Sequence, residues 1–224
     1  MMSTLDRSAP PTLTGGRAAA FRRAGRWLLA SAAAGLAALA TVITVEVTSG
    51  TAEAAQRAAD RLGVGVDELP ADVVSDVYGH PTWAEELLLS VPLALVGVLF
   101  VVAVRAAVRP AGGGPLATAA TVLAGGCAAF WIGTIGLSGL VNVEALAVQH
   151  WIGPLVVLTV ATGGAALAAL AVLLRRCGVA RRSATTVGVL GVLSVIGCFA
   201  LPPVAPILFG AVAGVGLVRT RGGG

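Results

Sequence analysis

Two carboxylates and an imidazole recur at intervals of four residues in the most polar stretch of the chain. Asp72, Asp76 and His80 would share one face of a helix, and carboxylate and imidazole ligands suit a divalent ion such as manganese or zinc. However, Gly79 and Pro81 flank the histidine and predict that the helix ends before it. A solvated acidic face explains the same residues, so we predict no bound metal and no cofactor.

A serine and a histidine are the other candidates for chemistry. The string Gly136-Leu137-Ser138-Gly139 resembles the Gly-x-Ser-Gly nucleophile motif of rhomboid-type intramembrane proteases. The resemblance covers four residues and implies a six-helix core in which Ser138 is the nucleophile and His150 its base. In that family the serine begins a later helix, whereas Ser138 ends a predicted one. A helix exit in which Ser138 bonds its own backbone is the alternative. We therefore predict no enzyme activity and keep a serine hydrolase as the second alternative.

The composition indicates that these residues sit in a membrane protein. The chain has 224 residues, of which 57% are hydrophobic and only 12% charged, whereas a soluble domain carries about 25% charged residues. One charge at the centre of a span costs about 2.5–3.5 kcal/mol, and a good apolar residue contributes only about 0.3–0.6 kcal/mol. Long charge-free runs are therefore strong signals for transmembrane helices.

These runs predict an all-α, polytopic transmembrane bundle over residues 26–218. The last run is too long for one ordinary helix, and Pro202, Pro203 and Pro206 divide it. A span needs roughly 20 apolar residues, and the six predicted spans are 27–45, 87–104, 116–137, 151–174, 184–201 and 204–218.

The arginines predict the orientation. All 15 basic residues are arginine, which together with the Ala, Gly and Val content suggests a bacterial, GC-rich source. With tails 1–25 and 219–224 in the cytoplasm, only Arg57 and Arg61 fall outside, as the positive-inside rule requires. We therefore expect a multi-pass protein of the plasma (inner) membrane. The arginines that set this topology are Arg22, Arg23, Arg26, Arg105, Arg109, Arg175, Arg176, Arg181, Arg182, Arg219 and Arg221.

Residues 46–86 form the one large polar segment, with nine acids and two arginines. The sequence predicts a helix over 51–62 with Thr51 as N-cap, and a second over 70–78 that begins with proline. An apolar stripe should pack this segment on the bundle as a small helical exoplasmic cap. The stripe consists of Leu62, Val66, Leu69, Val73 and Val77.

Small residues and the uncharged span centres limit the function. We expect close helix packing, within the chain or between copies, at five glycines: Gly133, Gly136, Gly139, Gly210 and Gly214. Arginines at helix ends rather than on one face argue against nucleic-acid binding. The leading prediction is a non-enzymatic accessory or interaction subunit that contacts a protein partner through its acidic outer loop. The alternative is a permease component with an uncharged polar pathway.

Overall fold

The computed structural model describes residues 14–70, 73, 77, 83–142 and 151–220. Within residues 14–70, 83–142 and 151–220 the elements with described bounds are seven α-helices and two short 3-10 turns, at Val66–Glu68 and Arg109–Ala111. The helices are α1 (Gly15–Ser49), α2 (Thr51–Leu62), α3 (Trp83–Val108), α4 (Pro115–Asn142), α5 (Ile152–Arg176), α6 (Arg181–Ile196) and α7 (Ala205–Val218).

Glycine and proline set the helix boundaries. Gly50 adopts φ 65° between α1 and α2, and Gly112 adopts φ 94° between α3 and α4. A side chain would be strained at both positions. Pro202 and Pro203 lie in the turn after α6, and Pro206 lies in the first turn of α7, where its missing N–H breaks no intrahelical bond.

Six helices form a closed ring in which α1, α3, α4, α5, α6 and α7 each pack against the next, and α7 packs back against α1. At one end of this ring, Arg17 Nε donates to the Pro110 carbonyl (3.0 Å). At the same end, Arg22 Nη1 donates to the Thr220 carbonyl (3.1 Å). The first residues of α1 and the last described residues of the chain therefore lie together. We call this end, where α1, α4 and α6 begin, the basic end.

Four of these helices are long and apolar enough to cross a membrane: α1, α3, α4 and α5. With 16 and 14 residues, α6 and α7 are only about 24 and 21 Å long, short of a hydrocarbon core of about 30 Å. The predicted all-helical fold is thus confirmed over the described residues. Of the six predicted spans, four correspond to helices that are long and apolar enough to cross a membrane.

The contacts of α6 and α7 show how far these two short helices reach. A Cβ placed on Gly164, the midpoint of α5, would lie 2.7 Å from Ser194 Cβ near the end of α6. A Cβ on Gly163 would lie 2.6 Å from Pro206 Cβ, at the start of α7. The turn between α6 and α7 therefore lies near the mid-height of α5, and both helices run from there to the basic end.

Side-chain burial agrees with this half-height hairpin. Beyond its midpoint α1 exposes Leu36 and Ile43, at 56% and 51%. Between Val160 and Leu174, in contrast, the half of α5 beside the hairpin is largely buried. The large buried side chains also concentrate at this half: Phe21, Leu28, Phe100, Leu167, Leu170, Leu174 and Leu217.

Three details differ from the sequence-based expectation. The predicted tail 1–25 is helical from Gly15 because Ala18 and Phe21 are buried in the core. The predicted cap residue Thr51 is the first residue of α2, and Gly50 is its N-cap without a side-chain hydrogen bond.

The third difference is the apolar stripe of the outer segment, which does not form one continuous face. The helix α2 ends at Leu62, which is 51% exposed, and Val66 is 41% exposed. The buried residues of α2 are instead Ala55, Ala58 and Ala59. Of the predicted helix 70–78, only Pro70, Val73 and Val77 are among the described residues, and the two valines are helical and half-buried.

Candidate functional site

Ser138 lies inside a helix rather than at its exit. Helix α4 continues to Asn142, and Ser138 Oγ donates to the Thr134 carbonyl one turn earlier (2.9 Å). His150 lies outside the described residues, as does His80, so no imidazole is described near this hydroxyl. The backbone hydrogen bond is the one that the alternative expected for Ser138, whereas the helix exit expected with it lies further on.

The proposed metal ligands Asp72, Asp76 and His80 also lie outside the described residues. Within the described ranges, no three His, Cys, Asp or Glu side chains are grouped so that they could hold a metal ion.

The buried hydroxyl groups are largely satisfied within their own helices. Thr134 donates to the Phe130 carbonyl (2.8 Å), and Thr159 donates to the Leu155 carbonyl (2.8 Å). Ser194 donates to the Leu190 carbonyl (2.8 Å). The buried Ser31 Oγ has no hydrogen-bond partner. The hydroxyls of Thr134, Thr159 and Ser194 therefore use their one donor on the backbone of their own helix.

The five predicted packing glycines have different surroundings. A Cβ on Gly214 would lie 2.9 Å from the Gly25 carbonyl oxygen, whereas one on Gly210 or Gly133 would make ordinary contacts at 3.5 Å or more. A Cβ on Gly136 would meet no atom within 4 Å. Gly139 lies in α4. Among the predicted glycines whose surroundings are described, Gly214 is therefore the one at which two helix backbones approach closely.

A close backbone-to-backbone helix crossing joins two glycines that the sequence analysis did not select. A Cβ on Gly164 would lie 2.6 Å from the Gly191 carbonyl oxygen, and a Cβ on Gly191 would lie 2.6 Å from that of Gly164. A signal existed in the sequence, because Gly164, Ala168 and Ala171 face a matching series at Gly188 and Gly191 with helical spacing. Such paired small residues favour close crossings.

The basic end collects the topology-setting arginines. Apart from Arg221, which is outside the described residues, they lie on the ends of α1, α3, α5, α6 and α7 that meet there. Every described acid lies elsewhere, in the end of α1, in α2, in the 3-10 turn after it or at the start of α3. Apart from Arg57 and Arg61 in α2, the described charges are therefore separated along the axis of the bundle.

The other charged surface is the outward face of α2. Glu53, Gln56 and Asp60 are exposed, and Gln56 Nε2 donates to Asp60 Oδ1 (2.8 Å). The alanine face of the same helix is buried. This helix is therefore held against the rest of the chain with its polar face toward solvent.

These features indicate an α-helical membrane protein with four helices long and apolar enough to cross a bilayer, a basic end and an acidic segment. The sequence matches no protein-family model, and the comparisons found neither a characterised protein nor a solved structure that resembles it.

Proposed function

We propose that the chain crosses the plasma (inner) membrane four times and that α6 and α7 form a re-entrant hairpin entering from the cytoplasm. Support comes from the height of the turn, which packs beside Gly163 and Gly164. The turn also has the composition that a bilayer interior requires, since residues 195–204 contain no charged side chain. The arginines at the basic end support an orientation in which this end faces the cytoplasm, as the positive-inside rule requires.

Cysteine labelling distinguishes the re-entrant hairpin from two full crossings. In a variant whose three native cysteines are alanine, Phe199→Cys should not react with a membrane-impermeant maleimide on either side of the membrane. The reason is that a thiol in hydrocarbon cannot ionise, and the thiolate is the reactive form. Phe199 is 86% exposed in the isolated protein, so protein packing alone would not protect it. The readout is labelling in intact and permeabilised cells.

Two further variants calibrate the labelling. Gln56→Cys should react from outside, and Gly113→Cys, in the exposed α3–α4 loop, should react only after permeabilisation. Reaction of Phe199→Cys from outside would replace the re-entrant hairpin with six spans. Reaction of Gly113→Cys from outside would reverse the orientation.

The proposed activity is that of a non-enzymatic accessory subunit whose acidic outer segment binds a cationic partner protein. The observation that carries it is α2, which is anchored through buried alanines and presents Glu53 and Asp60 to solvent. Nine acids against two arginines give residues 46–86 a net charge of −7. Such a surface attracts and orients a positively charged patch on a partner.

Capture from native membranes tests this role. The double variant Glu53→Lys/Asp60→Lys should lose most of the partner that co-purifies with the tagged wild-type chain, because it replaces two attractive charges with two repulsive ones. The readout is quantitative mass spectrometry of the captured proteins at two salt concentrations. The wild-type complex should weaken as salt rises.

A charge change of opposite sign on the same helix is the matched control. Arg57→Gln/Arg61→Gln removes two exposed cations and leaves the acids, so it should retain or strengthen capture. Equal loss of the partner in both double variants, with normal membrane insertion, would show that the acids do not recognise it.

A further inference from the structure

A groove runs along the outer surface of the bundle between α5 and α6. Its volume is about 380 Å³, and its walls are small or aliphatic: Ala168, Ala171 and Val172 from α5, and Gly188, Val189 and Val192 from α6. The groove forms because the glycine crossing at Gly164 and Gly191 holds the two helices close while the neighbouring side chains stay short.

One end of the groove is charged and the other is apolar. Arg175 lies at the basic end, beside Thr185, and Leu193 lies at the opposite end. The Arg181 guanidinium turns back toward the α5–α6 loop, 4.0 Å from where a side chain on Gly178 would begin. Within the described ranges, no acid lies at this end to neutralise these arginines.

The length of the groove fits one leaflet of a bilayer. From Ala184 to Leu193 along α6 it extends about 14 Å, and half of a hydrocarbon core is about 15 Å. An acyl chain lying there would reach from the headgroup level to the membrane centre, where the hairpin turns. The Arg175 guanidinium, at the headgroup level, would then contact the phosphate of the lipid.

We propose that this groove binds one anionic phospholipid of the cytoplasmic leaflet, with an acyl chain between α5 and α6 and its phosphate at Arg175. The choice of leaflet rests on the proposed orientation, and the match in depth rests on the proposed re-entrant hairpin, whereas the groove itself rests on neither. A basic pocket between helices on the cytoplasmic side has the chemistry that anionic headgroups require.

Native mass spectrometry of the purified full chain in detergent tests the site. The probes are phosphatidylglycerol and phosphatidylcholine with identical chains, added separately. The wild type should retain one phosphatidylglycerol with about fivefold preference, the effect of roughly one basic residue near the headgroup. Arg175→Gln should lose that preference and still bind chains, whereas Val192→Trp, which fills the groove, should lose both.

Matched controls are Arg105→Gln, an exposed arginine of the same end, and Val122→Trp, on the exposed face of α4. Both should behave as wild type. Equal effects of control and site variants, or no headgroup preference, would overturn the proposal. Displacement of the lipid by soluble glycerol phosphate would also overturn it, by indicating a free-anion site. The labelling experiment measures topology and the capture experiment measures partner binding. A negative result in either is therefore distinguishable from a failure of lipid binding at the groove.

Discussion

Gly164→Ala is expected to lower the free energy of unfolding by about 3 kcal/mol, the upper part of the usual range for overpacking. The added Cβ would lie 2.6 Å from the Gly191 carbonyl oxygen and 2.7 Å from Ser194 Cβ. A backbone carbonyl cannot rotate away, so α5 and α6 must separate and lose dispersion contacts along the whole crossing. The measurement is unfolding in mixed micelles with increasing SDS, followed by circular dichroism.

Gly125→Ala is the matched control for this substitution. Gly125 lies in α4, and a Cβ there would meet no atom within 4 Å. Alanine is the better helix former, so the control should be neutral or slightly stabilising. A Gly164→Ala midpoint equal to that of Gly125→Ala would mean that α5 and α6 do not cross at these glycines.

Helix positions were predictable wherever a local signal marks them. The boundaries 51–62 of α2 agree with the prediction because Gly50 and Gly63 adopt left-handed conformations at its two ends. The break between α3 and α4 follows from the glycines before Pro115. The beginning of α1 was not predictable from hydropathy, because an amphipathic helix continues into water as long as residues such as Phe21 remain buried.

The height of the α6–α7 hairpin could not be read from the sequence. Residues 183–218 would be equally apolar in two full crossings and in a hairpin that turns inside the bilayer. Hydropathy measures the composition of a segment and not its depth in the membrane. The height of the turn within the bundle depends on contacts distant in sequence, notably Pro206 beside Gly163 and Ser194 beside Gly164. The prolines predicted the turn, and only the packing places it near mid-height.

The features of the candidate sites were likewise predictable only where they depend on local sequence. The charge separation was predictable, because it depends on which segments hold arginine and which hold acid. The groove at Arg175 was not, since it depends on how closely α5 and α6 approach each other. The hydrogen bond of Ser138 to its own backbone was foreseen as an alternative, whereas the continuation of α4 to Asn142 was not, since a motif of four residues does not show where its helix ends.

Gly210 and Gly214 show most directly what a sequence motif leaves open. They form a Gly-x-x-x-Gly pair on α7, a pattern typical of close helix packing. In the structure a Cβ on Gly214 would lie 2.9 Å from the Gly25 carbonyl oxygen and 3.2 Å from Leu28 Cβ. A Cβ on Gly210 would lie 3.5 Å from Leu28 Cδ2 and 3.7 Å from Phe100 Cε2. The first site has no room for a methyl group, and the second accepts one in ordinary contact.

Alanine should therefore have effects of opposite sign at these two positions. Gly214→Ala pushes α7 away from α1 and opens the ring where its ends meet, at a cost of about 2–3 kcal/mol. Gly210→Ala adds dispersion contacts and helix propensity and should stabilise by up to about 1 kcal/mol. The SDS midpoints of the two variants measure this difference directly. If the ring were not closed by α1 and α7, both glycines would face lipid, and the two substitutions would have the same small effect.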